Sequence, residues 1–298
     1  MEIPVSTLST GTQLSLPVAI VNGKYAGPKL LLSAAIHGDE LNGVEIVRQI
    51  LNDVDPRSLR GTLIATPVVN VFGYLMQTRN LPDRRDLNRS FPGSKSGSLA
   101  SRLAHLFLES IVSRADFGID FHTGSGGRTN IAQLRGNLYD PRTRAAAFEF
   151  GAPVLLQARE RANSLRAIAA SRGLPMLVFE GGEALRFDRD AIRIGVQGVW
   201  RLMLHLGMRP GTNEPLKKKP FVAASSTWLR TPRGGMFHVS TQPGDTVKSG
   251  EILGVVMDIY GRLRARIVAP HNGMVIGMVC NPLVSRGDAV LHLAHSEV

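Results

Sequence analysis

Two histidines and two glutamates have the residue types and spacing for metal-assisted chemistry. His37 and Glu40 form an H-x-x-E pair in Ala35-Ile36-His37-Gly38-Asp39-Glu40. His122 follows in Ile119-Asp120-Phe121-His122-Thr123-Gly124, and Glu180 in Val178-Phe179-Glu180-Gly181. Two neutral imidazoles and a carboxylate are a common catalytic zinc set, with the fourth position left to water. The i, i+3 spacing of His37 and Glu40 suits a tight turn into a helix, so one elbow can supply two ligands. A carboxylate outside the set, Glu180, suits proton transfer to and from such a water. Each signal is short. The chain has eight histidines, and a strand-end histidine is more often a hydrogen-bonding residue than a ligand. Glu180 alone reads equally as a charged strand end near solvent. What adds weight is the combination: HGDE after one apolar run, DFHTG after another, and the arginine-bearing DLNRSFPG between them.

For these residues to meet, they must come from strand ends on one side of a sheet, where ligands of open α/β sheets bind. The run from Lys29 to Ile36 is apolar enough for a strand buried on both faces. Leu41 to Leu51 reads as an amphipathic helix, and Thr62 to Val69 as a second buried strand. Val71 to Ser96 is polar, rich in Arg, Asp, Pro and Gly, and long for a loop, which marks it as functional. Leu99 to Val112 is expected to be a helix, Ala115 to Phe121 a strand leading into His122, and Pro153 to Gln157 a strand. Ser164 to Ser171 is expected to be helical, Pro175 to Phe179 a strand ending at Glu180, and Asp188 to Leu206 helical. Alternating strands and helices give an α/β fold with a mainly parallel sheet flanked by helices.

The pattern changes at Leu216-Lys217-Lys218-Lys219-Pro220, a charged, proline-ended linker. It divides the chain into an α/β unit, 1–216, and a small all-β barrel or sandwich, 221–298. In the latter, Pro243-Gly244-Asp245-Thr246-Val247 and Arg286-Gly287-Asp288-Ala289-Val290 echo each other. This style is similar to lipoyl and biotinyl carrier domains, but a carrier needs a lysine on an exposed hairpin. The comparable stretch, Val255 to Tyr260, has none, and Lys248 lies in the preceding turn. The unit is therefore expected to borrow the fold without the swinging arm, and to shape a substrate mouth or a homo-oligomer contact. Tyr260 is a candidate to reach the site from it.

A 43% hydrophobic and 20% charged composition is ordinary for a globular chain. No apolar run approaches the roughly 18 residues of a membrane span, and the N-terminus has no basic region followed by an apolar one. The single cysteine, Cys280, excludes an internal disulfide and is expected to be a buried thiol in its apolar run. These features point to a cytoplasmic protein without a membrane partner. The net charge of +11 is spread over scattered arginines, with no nucleic-acid motif or aromatic-interleaved basic stretch, which favours a small anionic substrate over nucleic acid.

The four motifs together resemble those of the succinylglutamate desuccinylase and aspartoacylase family, which belongs with the zinc carboxypeptidases. The matching phrases are the HGDE elbow, Asp86-Leu87-Asn88-Arg89-Ser90-Phe91-Pro92-Gly93, the DFHTG strand end and the Glu180 phrase, in the family's order. Ala269-Pro270-His271-Asn272-Gly273 adds a C-terminal match, so nearly the whole chain is covered. The resemblance implies a zinc carboxypeptidase-like fold and one zinc per chain on His37, Glu40 and His122. It implies Glu180 as general base and acid, and Asn88 and Arg89 as receptors of a substrate carboxylate. Arg79 is implied to polarise the scissile carbonyl, with Arg84 and Arg85 as nearby competitors. Arg135 and Arg166 are further candidates for carboxylate contacts, each equally suited to a structural ion pair. The implied activity is hydrolysis of the amide of a small anionic N-acyl amino acid or N-acyl amine. The alternatives are a metallocarboxypeptidase acting on a short peptide and a non-catalytic binding protein of the same fold. Digestive carboxypeptidases carry an arginine beside the ligand glutamate, where this chain has Asp39, which argues against the peptidase. Metal content separates the third case.

Overall fold

A computed structural model of the chain describes residues 1–216 and 218–296. Strands β1 (Glu2–Thr7) and β2 (Gln13–Pro17) pair antiparallel with each other. The remaining N-terminal elements are β3 (Ala19–Asn22), β4 (Tyr25–Ala34), α1 (Asn42–Asp53), β5 (Arg60–Thr66), α2 (Val71–Met76) and α3 (Leu99–Ser110). They are followed by β6 (Phe117–Gly124), β7 (Arg128–Gly136), α4 (Pro141–Phe150), β8 (Val154–Gln157), α5 (Leu165–Ser171), β9 (Met176–Glu183) and α6 (Arg189–His205).

The central strands run β5-β4-β6-β9, all parallel. The apolar run of β4 is buried on both faces, as its composition requires. Alternation sends Leu30, Leu32 and Ala34 to one side, with α1, α4 and α6, and Leu31 to the other, with α3 and α5. Helix α1 buries Ile46, Val47 and Ile50. Gly43 lets it approach the sheet closely, since a Cβ there would lie 2.4 Å from that of Phe121.

Three expectations change. The sheet is mixed rather than mainly parallel, because β3 joins β5 antiparallel and β7 joins β9 antiparallel. Strand β7 was not foreseen, and neither was α4, although Asp140 caps that helix and Pro141 opens it. The segment 71–96 is not all loop: it begins with α2 and holds a 3-10 turn at Leu87–Arg89.

Beyond residue 220 the described residues form strands without helices: β10 (Phe221–Ala223), β11 (Ser225–Arg230), β12 (Gly235–Val239), β13 (Thr246–Val247), β14 (Ile252–Met257), β15 (Leu263–Val268), β16 (Gly273–Val279), β17 (Leu283–Val284) and β18 (Ala289–His295). Strands β15-β14-β12-β17 make a separate four-stranded sheet, whereas β11-β18-β16 continue the main sheet through β16 on β7. The two echoing phrases make the same turn. Asp245 and Asp288 each donate N–H to a carbonyl three residues back and accept from that residue's N–H, on Gln242 and Ser285 respectively. Cys280 is exposed rather than buried, because β16 ends at Val279 and the cysteine falls in the turn beyond it. Within the expected linker, Lys217 lies outside the described residues. No helix among those described is long and apolar enough to cross a membrane.

Candidate active site

The site begins where β4 stops. Ala35 takes a left-handed conformation, φ 48°, unfavourable for a residue with a Cβ, and turns the chain out of the sheet. The turn closes with Glu40 N–H donating to the His37 carbonyl at 3.1 Å, and α1 follows. His37 and Glu40 thus share one elbow, while β6 carries His122. All three are buried, at 3%, 1% and 5% exposure.

Their ligand atoms lie within 4.8 Å of one another. His37 Nδ1 is 2.9 Å from Glu40 Oε1, and His122 Nδ1 is 2.8 Å from Glu40 Oε2. The other ring nitrogens face carboxylates: His37 Nε2 is 3.2 Å from Asp86 and His122 Nε2 is 2.8 Å from Asp120. Carboxylates behind histidines are the usual means of fixing ring orientation in metal sites. The donor set therefore suits a divalent metal such as zinc. Sequence reasoning set neither Asp86 nor Asp120 behind a histidine, and suggested for Asp86 only a loop-stiffening pair with Arg89. The place of Asp120 was legible, because Asp120 and His122 are two apart on a strand and share a face.

The electrostatics are those of alternating charges packed together. Burial opposes the charged form of each imidazole, but Glu40 with Asp86 raises the His37 pKa, and Asp120 with Glu40 raises that of His122 well above its ordinary value. Burial likewise opposes ionised Glu40, yet the two histidines hold its pKa far below the carboxylate range. Asp39 is raised by burial and by its neighbour Glu40, and its Oδ1 is buried without a partner among the described residues.

Glu180 is the register partner of His122 across the β6–β9 pair. Its carboxylate accepts from Asn130 Nδ2 at 2.8 Å and pairs with Arg135 Nη1 at 3.0 Å. Arg79 spans Glu40 at 3.1 Å and Asp86 at 3.0 Å. Asn88 is anchored through Oδ1, which accepts from Leu165 N at 2.8 Å, and Arg89 Nη1 donates to the Asn88 carbonyl. Arg166 directs both terminal nitrogens at backbone carbonyls, of Ala158 and Arg159, each at 2.9 Å.

The triad, Glu180, Asn130, Asn88 and the arginines Arg79, Arg89, Arg135 and Arg166 border one cleft of about 1100 Å³. Arg84 and Arg85 are exposed and outside it. Tyr260, 78% exposed on the turn before β15, is also outside it. The C-terminal residues that do line it are Trp228 with its neighbours on β11 and His292 on β18, while Arg128 and Asn130 line it from β7. None was foreseen, because long-range strand pairing brings them there.

Comparison with known proteins agrees with this architecture. The profile of the succinylglutamate desuccinylase/aspartoacylase catalytic domain matches residues 26–206. The N-alpha-acetyl-L-2,4-diaminobutyric acid deacetylase of Halomonas elongata is 26% identical, over 99% of this chain and 90% of its own length. A succinylglutamate desuccinylase/aspartoacylase from Rhodobacter sphaeroides superposes with a TM-score of 0.88 at 27% identity, covering 99% of this chain and 94% of that one. The ectoine utilization protein EutE (DoeB) of Ruegeria pomeroyi shares the fold, with a TM-score of 0.89 at 22% identity over 99% of this chain and 94% of its own.

Proposed function

The chain belongs to the succinylglutamate desuccinylase/aspartoacylase family, and from that premise we propose that it is a zinc-dependent amidohydrolase releasing the acyl group of a small N-acyl amino acid. The observation that carries this reading is the convergence of His37, Glu40 and His122 with Glu180 in the adjacent register position of the sheet. The Halomonas relative's name supports an N-acetyl amino acid as the kind of compound cleaved.

When bound on His37, Glu40 and His122, zinc supplies Lewis acidity that makes water a nucleophile near neutral pH and polarises a carbonyl. Asp86 and Asp120 keep the two imidazoles turned toward that position. Glu180 takes the proton of the attacking water and delivers it to the departing amine nitrogen, with Asn130 and Arg135 fixing the direction of its carboxylate. Arg79, whose guanidinium touches the triad, is the group that would stabilise the oxygen on which negative charge develops. One such donor is worth roughly 2.7–4 kcal/mol in the transition state. Asn88 and Arg89 receive the substrate carboxylate, since a planar guanidinium fork beside an amide matches its two oxygens. Arg135 and Arg166 line the same cleft and add to its positive field.

The test is reconstitution with zinc, followed by a screen for amine release from acetyl and succinyl amino acids. Wild type should hold one tightly bound zinc and hydrolyse members of the panel, while His122→Ala should lose both properties. Equal tight binding by the two proteins would remove the ligand assignment. A zinc-loaded wild type inert toward the whole panel would remove the deacylase.

A further inference from the structure

One register row crosses the sheet from the C-terminal strands to the site. Trp228 on β11 pairs with His292 on β18, His292 with Gly277 on β16, and Gly277 with Asn130 on β7. Asn130 then reaches Glu180. Side chains in one row of a sheet share a face, and Trp228, His292 and Asn130 all border the cleft. Glycine is required in the middle of the row, because a Cβ on Gly277 would lie 2.4 Å from Asn130 Oδ1.

The row ends in a stack. The Trp228 and His292 rings lie 4.4 Å apart and nearly parallel, at 8°. His292 Nε2 is 2.9 Å from Ser226 Oγ. Burial, followed by Arg135 and Arg161, pushes the His292 pKa down to about 3, so its ring is uncharged at neutral pH. Against the same indole stands the guanidinium of Arg128, 5.2 Å from the ring centre. Its Nε is buried without a partner among the described residues, and Nη1 reaches the Ser125 carbonyl at 3.5 Å, the outer limit of a hydrogen bond. A guanidinium braced on an aromatic face presents its planar edge with little orientational freedom left to lose on binding. The carboxylates of the site are otherwise engaged: Glu180 with Arg135, and Glu40 and Asp86 with Arg79.

We propose that Arg128, braced on Trp228, is a carboxylate receptor distinct from Asn88 and Arg89 and selects substrates with a second acidic group. Arg128 precedes Asn130 by two residues on β7, about 7 Å along the strand. The second acid therefore lies several bonds from the amide at Glu180. The C-terminal strands, by supplying Trp228 and His292, help to set specificity. The substrate's identity rests on the deacylase reading, whereas the anion site itself does not.

Binding and turnover test the two separately. Calorimetry compares glutarate with butyrate on the zinc-loaded wild type, Arg128→Gln and Arg128→Lys, each checked by thermal melting. Wild type should prefer glutarate. Arg128→Gln should lose about tenfold or more of its glutarate affinity, the size of a lost charge-assisted hydrogen bond, with butyrate affinity unchanged. Arg128→Lys should recover part of the loss, because it keeps the charge without the planar fork. Trp228→Leu, which removes the brace and leaves the guanidinium, should weaken glutarate selectively. No glutarate preference in wild type, or equal losses for both acids in Arg128→Gln, would overturn the proposal. In turnover, the expected result is a KM increase for an N-acyl dicarboxylic amino acid and none for its monocarboxylic counterpart. A wild type that binds glutarate through Arg128 but hydrolyses no amide would retain the anion site and refute the deacylase.

Discussion

Glu180 meets its neighbours in a way that separates proton transfer from metal binding. Its two oxygens are occupied by Asn130 and Arg135, while the triad is closed by Glu40. Glu180→Gln preserves size and removes the titrating group, so it should leave zinc content nearly unchanged. Turnover should fall at least about a hundredfold, the low end for general acid–base catalysis. Metal analysis and steady-state rates on one preparation check this. Loss of zinc would make Glu180 a ligand, and full activity would put the base elsewhere. At this scale, what was legible in the sequence is local. His37 and Glu40 are three residues apart, and Asp120 and His122 are two apart, so short-range geometry fixes their shared direction. Arg128, Asn130, Trp228 and His292 leave no such trace, because their proximity depends on which strands pair. Cys280 shows the limit from the other side: an apolar run announces a strand but not the residue at which it ends.

The loop between α2 and α3 owes its shape to a few polar contacts. Asp86 caps the 3-10 turn through Asn88 N and takes His37 and Arg79, so this carboxylate joins loop and triad. Asn88 ties the turn to the start of α5 through Leu165 N. An Asp86–Arg89 pair, the purely structural use of that arginine, is not the arrangement formed: Arg89 donates to the Asn88 carbonyl instead. Arg89→Lys keeps the charge and loses the planar fork. It should therefore raise KM for a carboxylate substrate far more than for its neutral amide analogue, as paired kinetics would reveal. Equal losses on both would make Arg89 structural. Continuous apolar runs marked β4, β5 and β6 in the sequence because both faces of each are covered. Strand β7, Arg128–Gly136, mixes polar and apolar residues without regular alternation, and that mixture resembles a loop until its partners β9 and β16 are known.

At the scale of the molecule, the proposed division of the chain at 216–221 does not divide the sheet. Between the end of α6 at His205 and β10 at Phe221 the described residues form no helix or strand, and Lys218 and Lys219 are exposed. Beyond this stretch, β10 pairs with β8 and β16 with β7, so the C-terminal strands are hydrogen-bonded to the N-terminal ones at two places. A cut in an exposed connection removes chain continuity without removing those ladders. Limited digestion with a protease of broad specificity should therefore nick first around Lys218, giving two bands on a denaturing gel. The nicked protein should still elute as one species, and it should retain zinc, since His37, Glu40 and His122 all precede the cut. Dicarboxylate binding should also survive, because Trp228 and His292 remain seated beside Arg128 as long as β16 stays on β7. First cuts within Pro175 to Gly181 would contradict the proposed division at 216–221. Separation of the two fragments in native buffer would mean that the ladders alone do not hold the C-terminal strands in place, and dicarboxylate affinity should then disappear while zinc remains bound.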